Sequence, residues 1–380
     1  MATYKNPLFE LQDYGQSVWY DNISRQLLHN GGIQNLIDNF AVVGMTSNPS
    51  IFEKAMTDGN AYDDQFHALV KEGKDVDDIF LAMSIQDIGD AADTLRPIYD
   101  RSNGLDGYIS IEVLPEYAHD TAASIKMAHA FWDKLKRPNI MVKIPGTAEG
   151  IPAIRQCTAD GLNINITLLF GIGEYEQVME AYLSGLEERV QKGLPIDRIN
   201  SVASFFVSRV DTLVDKRLDE MAAQQPDRAH ELKALQGKAA IANAKIAYEH
   251  FKKVFSGARW EALRTKGATI QRPLWASTST KNPNYPDTIY VDNLIGRPTV
   301  NTMPQVTIDA FADHGRVAAT LEQGLAEAEQ QAAQLKGFGI DLEEVADELQ
   351  VQGVKLFSEA YDKLRDALSQ KREQLIAERG

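Results

Sequence analysis

The sequence predicts a closed (β/α)₈ TIM barrel with additional helices after the sixth strand and at the C-terminus. Short apolar, β-branched runs alternate with amphipathic stretches about eight times, the pattern of parallel strands joined by helical crossovers. Unusual polar residues lie in or just after these runs, where a barrel carries its functional groups. No Gly-x-Gly-x-x-Gly turn follows a predicted strand, so the alternative of a doubly wound open sheet loses its main signal.

Each element follows from its own pattern. Apolar runs bounded by turn residues predict strands, and apolar residues at helical spacing predict helices. The predicted strands cover residues 17–21, 41–45, 108–114, 139–144, 161–170, 200–207, 272–277 and 289–292. The predicted helices cover residues 24–40, 61–70, 75–99, 117–135, 147–160, 174–192 and 211–255, and the chain from 308 onward. The stretch 211–255 is rich in Ala, Lys and Glu, which favours one extended helix.

Composition restricts the class of protein. The 380 residues are 44% hydrophobic and 24% charged, with a formal net charge of −15, which argues against general binding to nucleic acid or anionic membranes. The one cysteine, Cys157, cannot form an intrachain disulfide, and no apolar run approaches the ~20 residues of a membrane-spanning helix. We expect a cytoplasmic enzyme with a single domain over residues 1–380, in which 311–380 form a helical extension packed on the barrel.

Lys143 is the centre of the candidate site. It lies in an apolar run bounded by Arg137-Pro138 and Pro145-Gly146, which predicts a short buried strand. Burial disfavours the charged form of lysine, and a lysine that loses its proton is an amine nucleophile that forms Schiff bases with carbonyls. The alternative is a strand-end lysine whose ammonium reaches water.

Schiff-base chemistry also requires proton transfer, and two carboxylates lie on predicted strands. Either Asp21 or Glu112 could act as general acid/base, and the other could act through an ordered water held by Thr167. The alternative for either carboxylate is structural, as a helix cap or the partner of an arginine.

Amide side chains near other strand ends could bind sugar hydroxyls. Asn48 and Asn165 carry suitable donors and acceptors, and Ser204 lies in the sixth strand. Asn165 and Thr167 alternate with apolar residues, which places both on one face of a strand. For Asn48, the sequence Asn-Pro-Ser is also typical of a turn into a helix.

Two places could bind a phosphate. Arg209 closely follows the sixth strand, and the run from Ser277 to Lys281, which includes Ser279, follows the seventh, a frequent phosphate position in this fold. The alternative for the run is a solvated loop, although Trp275 just before it indicates packing. No metal centre is predicted, because the sequence has no His pair at i, i+4, no cysteine cluster and no EF-hand spacing.

Four motifs together resemble those of the transaldolase family. They are TSNPSIF at 46–52, VKIPGT at 142–147, NITLLF at 165–170 and VSRVD at 207–211. The stretch QSVWYDNISR at 16–25 and the segment 274–304 are similar to the longer bacterial branch of the family. The motifs follow the family order over nearly the whole chain.

The resemblance implies a (β/α)₈ barrel enzyme of the pentose phosphate pathway with a class I Schiff-base mechanism and no metal or other cofactor. Such an enzyme moves a dihydroxyacetone unit from sedoheptulose 7-phosphate to glyceraldehyde 3-phosphate, giving erythrose 4-phosphate and fructose 6-phosphate. By position, Lys143 matches the Schiff-base lysine and Asp21 the acid/base aspartate. Glu112 and Thr167 match the pair that holds the catalytic water.

The resemblance also implies the binding residues. Asn48, Asn165 and Ser204 match the groups that bind the dihydroxyacetone hydroxyls, and Arg209 matches a phosphate-binding arginine. Where the better-known branch has a second arginine, this chain has Lys281 near Ser279. Lysine is a point charge and not a bidentate fork, so we expect a different phosphate geometry.

Phe206 separates transfer from simple cleavage. It matches an active-site phenylalanine, where related sugar-phosphate aldolases carry a tyrosine whose hydroxyl could help release the product. Phenylalanine keeps the enamine dry, which favours transfer to an acceptor. The alternatives are a fructose 6-phosphate aldolase and a non-catalytic barrel that binds sugar phosphates. We expect sugar-phosphate substrates, no nucleic-acid or membrane partner, and a monomer or homodimer.

Overall fold

Eight parallel strands close into a barrel in the computed structural model, which describes residues 5–377. The strands are β1 (Gln16–Asp21), β2 (Val42–Thr46), β3 (Ile109–Glu112), β4 (Ile140–Pro145), β5 (Ile164–Leu169), β6 (Ser201–Phe206), β7 (Arg272–Ala276) and β8 (Thr299–Met303). They pair in sequence order, and β8 pairs with β1 to close the barrel. The predicted (β/α)₈ TIM barrel is confirmed.

Helices cover the outside of the barrel and its ends. The first are α1 (Pro7–Glu10), α2 (Arg25–His29), α3 (Gly32–Phe40), α4 (Pro49–Thr57), α5 (Asp63–Lys71), α6 (Val76–Arg101), α7 (Thr121–Leu135), α8 (Gly150–Asp160) and α9 (Ile172–Gln191). They continue with α10 (Ser208–Gln224), α11 (Ala229–Lys233), α12 (Ala239–Val254), α13 (Ala258–Arg264), α14 (Ile289–Asn293), α15 (Gln305–His314), α16 (Leu325–Gly337) and α17 (Leu342–Ala377). None of the helices within residues 5–377 is long and apolar enough to span a membrane.

The strands are buried on both faces, as expected for a parallel sheet enclosed by helices. Every residue of β4, β5 and β6 is buried. Polar residues on these strands are therefore inside the molecule, and each needs a partner or a function. This arrangement places Lys143 and Asn165 side by side, because β4 and β5 pair in that register.

The predicted eighth strand at 289–292 is wrong. Ile289–Asn293 forms the short helix α14, and the barrel closes with Thr299–Met303. The run Ile-Tyr-Val favours a strand locally. The true strand was missed because Thr299, Asn301 and Thr302 are polar, and their hydrogen-bond partners come from other segments of the chain. Asn301 accepts a hydrogen bond from the Thr278 hydroxyl at 2.9 Å.

The predicted single helix over 211–255 is also wrong. The segment contains the end of α10, the short helix α11 and α12. A 3₁₀ turn at Pro226–Arg228 interrupts it, since proline lacks a backbone donor and restricts the residue before it. Gly237, with φ of +69°, makes the second break in a conformation that favours glycine.

The long helix α17 crosses the carboxyl end of the barrel. The Gln350 side-chain amide donates to the carbonyls of Gly146 and Leu168, at 3.1 and 3.3 Å, and so holds the helix to the ends of β4 and β5. Farther along, the Tyr361 ring packs on Phe80 with centroids 5.3 Å apart. Position 311, the predicted start of the extension, lies inside α15. The division of the domain stays a prediction, and positions 1–4 and 378–380 lie outside the described residues.

Candidate active site

A cavity of about 370 Å³ opens at the carboxyl ends of the strands. Eight of the eleven predicted site residues line it, namely Asp21, Asn48, Lys143, Ser204, Phe206, Arg209, Ser279 and Lys281. The other three, Glu112, Asn165 and Thr167, are buried next to them. The structure thus brings together residues from β1, β3, β4, β5, β6, the start of α10 and the loops after β2 and β7.

Lys143 extends from β4 into the cavity and is only 4% exposed. Its ammonium donates to the carbonyl of Ser47 at 3.1 Å and lies 3.4 Å from Glu112 Oε2. The alternative of an ammonium in bulk water does not fit this burial. The amine instead lies where a carbonyl compound entering the cavity would meet it.

Glu112 faces Lys143 from the neighbouring strand, because β3 and β4 pair with these residues in register. Burial raises the pKa of Glu112 to about 7, against the opposing effect of the Lys143 charge. A carboxyl group with a pKa near 7 can both accept and donate a proton at neutral pH. The Glu112 position is therefore suited to proton transfer beside the amine.

Asp21 is the second carboxylate, at the end of β1. Its Oδ1 accepts a hydrogen bond from the Thr46 hydroxyl at 2.7 Å, and the Thr302 hydroxyl lies 2.7 Å from that of Thr46. Burial raises the pKa of Asp21, while the charge of Lys143 and the Thr46 hydroxyl oppose that rise. Neither threonine was predicted as a site residue, although Thr46 begins the TSNPSIF motif.

Ser204 and Asn165 form a polar chain across the barrel interior. The Ser204 hydroxyl donates to Asn165 Oδ1 at 2.7 Å, and Asn165 Nδ2 donates to the Ser110 hydroxyl at 3.0 Å. Thr167, two residues along β5, is fully buried. Among the described residues, Thr167 Oγ1 has no hydrogen-bond partner, and Glu112 Oε2 has the Lys143 ammonium 3.4 Å away.

Asn48 caps a helix and also lines the cavity. Its Oδ1 accepts from the backbone N–H of Ile51 at 3.0 Å and so caps helix α4. The same residue lines the cavity, where its amide N–H₂ has no hydrogen-bond partner within residues 5–377. The cap fixes the side chain while the amide faces the cavity.

Cations lie at the outer end of the cavity. Arg209 is the second residue of α10, and burial lowers the pKa of its guanidinium. Lys281 Nζ donates to the Ser279 hydroxyl at 2.6 Å. Desolvation and the positive charge of Arg209 lower the pKa of Lys281, while Asp21 opposes this change. Two positive charges thus lie near each other, as a phosphate site requires.

Aromatic rings complete the wall. The Phe206 ring lies 5.1 Å from that of Phe170 and 5.7 Å from the Arg209 guanidinium carbon. Phe357, from the distant helix α17, also lines the cavity and was not predicted as a site residue. Within residues 5–377, no group of three or more His, Cys, Asp or Glu side chains is placed to hold a metal ion.

Comparison with known proteins shows which family the chain resembles over nearly its whole length. A family model described as Transaldolase/Fructose-6-phosphate aldolase matches residues 18–368. The chain is 47% identical over 371 residues to Transaldolase 2 from Nostoc sp. strain PCC 7120, covering 96% of this chain and 97% of that protein. It is 45% identical over 366 residues to Transaldolase from Frankia alni, covering 96% and 97%. It is 46% identical over 366 residues to Transaldolase from Thermobifida fusca, covering 96% and 98%.

Proposed function

Since the chain belongs to the transaldolase/fructose-6-phosphate aldolase family, we propose that it is a transaldolase that works through a Schiff base on Lys143. The reaction transfers a dihydroxyacetone unit from sedoheptulose 7-phosphate to glyceraldehyde 3-phosphate, giving erythrose 4-phosphate and fructose 6-phosphate. The observation that carries the proposal is the buried amine of Lys143 between two carboxylates in a cavity with cations at its outer end.

The first half of the reaction forms the Schiff base. The neutral Lys143 amine attacks the ketone carbon, and the resulting carbinolamine loses water. Glu112 supplies and accepts the protons for these steps, since it lies 3.4 Å from the amine and its pKa is about 7. The unpartnered Thr167 Oγ1, with Glu112 Oε2 beside the amine, supports a role in which the two groups hold the catalytic water.

The second half breaks and remakes a carbon–carbon bond. Asp21 takes the proton from the hydroxyl next to the bond, an aldose phosphate leaves, and the bonding electrons pass to the iminium to give an enamine. The enamine then attacks the acceptor aldehyde, Asp21 returns the proton, and hydrolysis frees Lys143. Asn48, Asn165 and Ser204 bind the hydroxyls of the three-carbon unit, as their amide and hydroxyl groups allow.

Phosphate binding is the role of the outer cations. Arg209 and Lys281, with the hydroxyl of Ser279, line the cavity from the segments that follow β6 and β7, beyond the strand ends, so the phosphate end of the sugar binds there. The cytoplasmic location and the monomeric or homodimeric state stay predictions from the sequence.

A second candidate is fructose 6-phosphate cleavage with release of free dihydroxyacetone, because the family model covers both activities. Phe206 favours transfer, since its ring adds an apolar surface and no hydroxyl beside the reacting carbons. Product analysis without an acceptor separates the two. Transfer predicts little free dihydroxyacetone, and rapid release would favour the aldolase.

Borohydride trapping tests the mechanism. The protein is incubated with fructose 6-phosphate, reduced and digested, and the modified peptide is found by mass spectrometry. We expect a three-carbon adduct on Lys143, no adduct in Lys143→Met, and loss of the adduct when erythrose 4-phosphate is added before reduction. A protein that binds the sugar phosphate without any adduct would instead be a binding barrel, and an adduct on another lysine would displace Lys143 from its role.

A further inference from the structure

Two buried carboxylates on α10 lie outside the reaction site, and each is bonded to a tyrosine from a different part of the chain. Asp211 and Asp215 are one helical turn apart and only 1% and 8% exposed. The Tyr290 hydroxyl donates to Asp211 Oδ2 at 2.9 Å, and the Tyr285 hydroxyl donates to Asp215 Oδ2 at 2.6 Å. Burying a carboxylate costs free energy unless the group is hydrogen-bonded. Two such carboxylates, one helical turn apart and each with its own tyrosine, therefore indicate a specific role.

The remaining carboxylate oxygens are also occupied. The backbone N–H of Ala240 donates to Asp211 Oδ1 at 2.8 Å, and that of Gly237 donates to Asp215 Oδ1 at 3.0 Å. A Cβ at Gly237 would lie 2.8 Å from the Tyr285 ring, so this close approach requires glycine. The two carboxylates therefore join three segments: α10, the start of α12 and the segment from Tyr285 to Tyr290.

The two outer cations lie in or just before two of these segments. Arg209 precedes Asp211 by two residues on α10, and Lys281 precedes Tyr285 by four residues in the loop after β7. Thr280 closes this loop on itself, because its hydroxyl lies 3.0 Å from the Pro286 carbonyl and 3.1 Å from the Asp287 carbonyl. The position of Tyr285 therefore restricts where Lys281 can lie.

Electrostatic repulsion acts between the segments that carry Arg209 and Lys281. Arg209 and Lys281 carry like charges close enough for Arg209 to lower the pKa of Lys281, so without an anion they repel each other. The Tyr–Asp bonds oppose this repulsion. A site already held in its binding geometry loses less conformational entropy when a ligand arrives.

We propose that the pairs Tyr285–Asp215 and Tyr290–Asp211 form a clasp that holds Arg209 and Lys281 at the spacing that one phosphate group needs. The four clasp residues are positioning residues and do not touch the substrate. The proposal rests on the phosphate site of the proposed function, and it assigns a role to the inserted helices α11 and α12, whose junction contributes Gly237 and Ala240 to the clasp.

The test compares a donor with a phosphate and a donor without one. Fructose 6-phosphate and fructose are each supplied with glyceraldehyde as a common acceptor. In Tyr285→Phe/Tyr290→Phe, we expect the KM for fructose 6-phosphate to rise roughly tenfold, with kcat close to that of the unmodified protein. We expect kcat/KM for fructose to stay the same, because Lys143 and Glu112 are untouched. Inhibition of the fructose reaction by inorganic phosphate should weaken by a similar factor.

Tyr175→Phe is the matched control. Tyr175 is 1% exposed, and its hydroxyl has no hydrogen-bond partner among the described residues. This variant removes a buried tyrosine hydroxyl without breaking a bond, so both donors should behave as before. Asp215→Asn weakens one of the two pairs and provides a second clasp variant if the double variant does not fold, with a smaller expected rise in the KM for fructose 6-phosphate.

The outcomes distinguish failure of the clasp from failure of the phosphate site on which it rests. The clasp would be overturned if kcat/KM fell equally with fructose 6-phosphate and with fructose. It would also be overturned if the KM for fructose 6-phosphate rose no more than it does in Tyr175→Phe. An Arg209→Ala variant that leaves the KM for fructose 6-phosphate unchanged would overturn the phosphate site and the clasp with it. Failure of the proposed function would appear in the unmodified protein itself, as the absence of turnover and of the borohydride adduct.

Discussion

The hydroxyl of Thr46 is expected to control the protonation of Asp21. Asp21 Oδ1 accepts the only proton that Thr46 can donate, at 2.7 Å, so Thr302 must be the donor in the contact between the two threonine hydroxyls. The chain from Thr302 through Thr46 to Asp21 stabilises the ionised carboxylate, and each bond in such a chain strengthens the next. Thr46→Val removes the middle link with little change in shape.

The size of the effect follows from the bond that is lost. A hydrogen bond to a charged group is worth about 1.5–3 kcal/mol, and 1.36 kcal/mol corresponds to one pKa unit. The hydroxyl favours the charged form, so its removal raises the pKa of Asp21 further, by about one to two units. Because Asp21 must be ionised to take the substrate proton, the acidic limb of the pH–activity profile should move to higher pH by the same amount.

The assay is the pH dependence of kcat/KM, with products separated by chromatography so that no coupling enzyme adds its own pH dependence. Thr46→Ser keeps the hydroxyl and should restore the original profile. An unshifted limb in Thr46→Val would refute the reasoning, as would a serine variant that shifts as far as the valine variant. A shift to lower pH would mean that the hydroxyl stabilises the neutral acid.

Three further variants test other parts of the site. Glu112→Gln removes a group with a pKa of about 7, so we expect adduct formation in single-turnover trapping to slow roughly 10²–10⁴-fold. Adduct formation at the original rate would contradict the role of Glu112 in proton transfer. Phe206→Tyr places a hydroxyl beside the enamine and should increase the release of free dihydroxyacetone from fructose 6-phosphate when no acceptor is present. If release does not increase, the phenylalanine does not explain a preference for transfer over cleavage. Gly353→Ala would place a Cβ 2.8 Å from Leu168 Cδ2, which must shift. Alanine favours a helix over glycine, so the control is Gly337→Ala, a helix glycine with open space around it. In urea unfolding, Gly353→Ala should be less stable than this control by about 1 kcal/mol, and equal effects would contradict the packing argument.

The centre of the site was predictable because parallel strands end at one edge of a barrel. Once Glu112, Lys143 and Asn165 were assigned to three consecutive strands, their neighbouring positions in the barrel followed from the strand order, and the structure adds that they pair in register. The motif around Asn48 was equally informative, although the sequence allowed either a helix cap or a ligand-binding group there. The structure shows that one side chain caps the helix and lines the cavity.

The parts that were missed depend on contacts between distant segments. Thr302 lies on a strand whose polar residues resemble a loop in sequence, and their partners come from β2 and from the loop after β7. Phe357 lies on the apolar face of α17, which in sequence is typical of any helix packed on a core. Propensity alone also could not decide between strand and helix for Ile289–Asn293, because five residues contain too little periodicity.

Asp21 lies where β1 and β8 pair to close the barrel, and this position affects how activity returns during refolding. Asp21 ends β1, and its hydroxyl partners come from β2 on one side and, through Thr302, from β8 on the other, 256 residues from Thr46 in sequence. Contacts of such sequence separation form late, because a long chain segment must be closed before they contribute free energy. A refolding chain in which only the first strands have assembled would have Lys143 beside Glu112 and still lack the completed hydroxyl chain at Asp21. Recovery of turnover therefore measures closure of the whole ring of strands, whereas helical circular dichroism reports local structure that forms earlier.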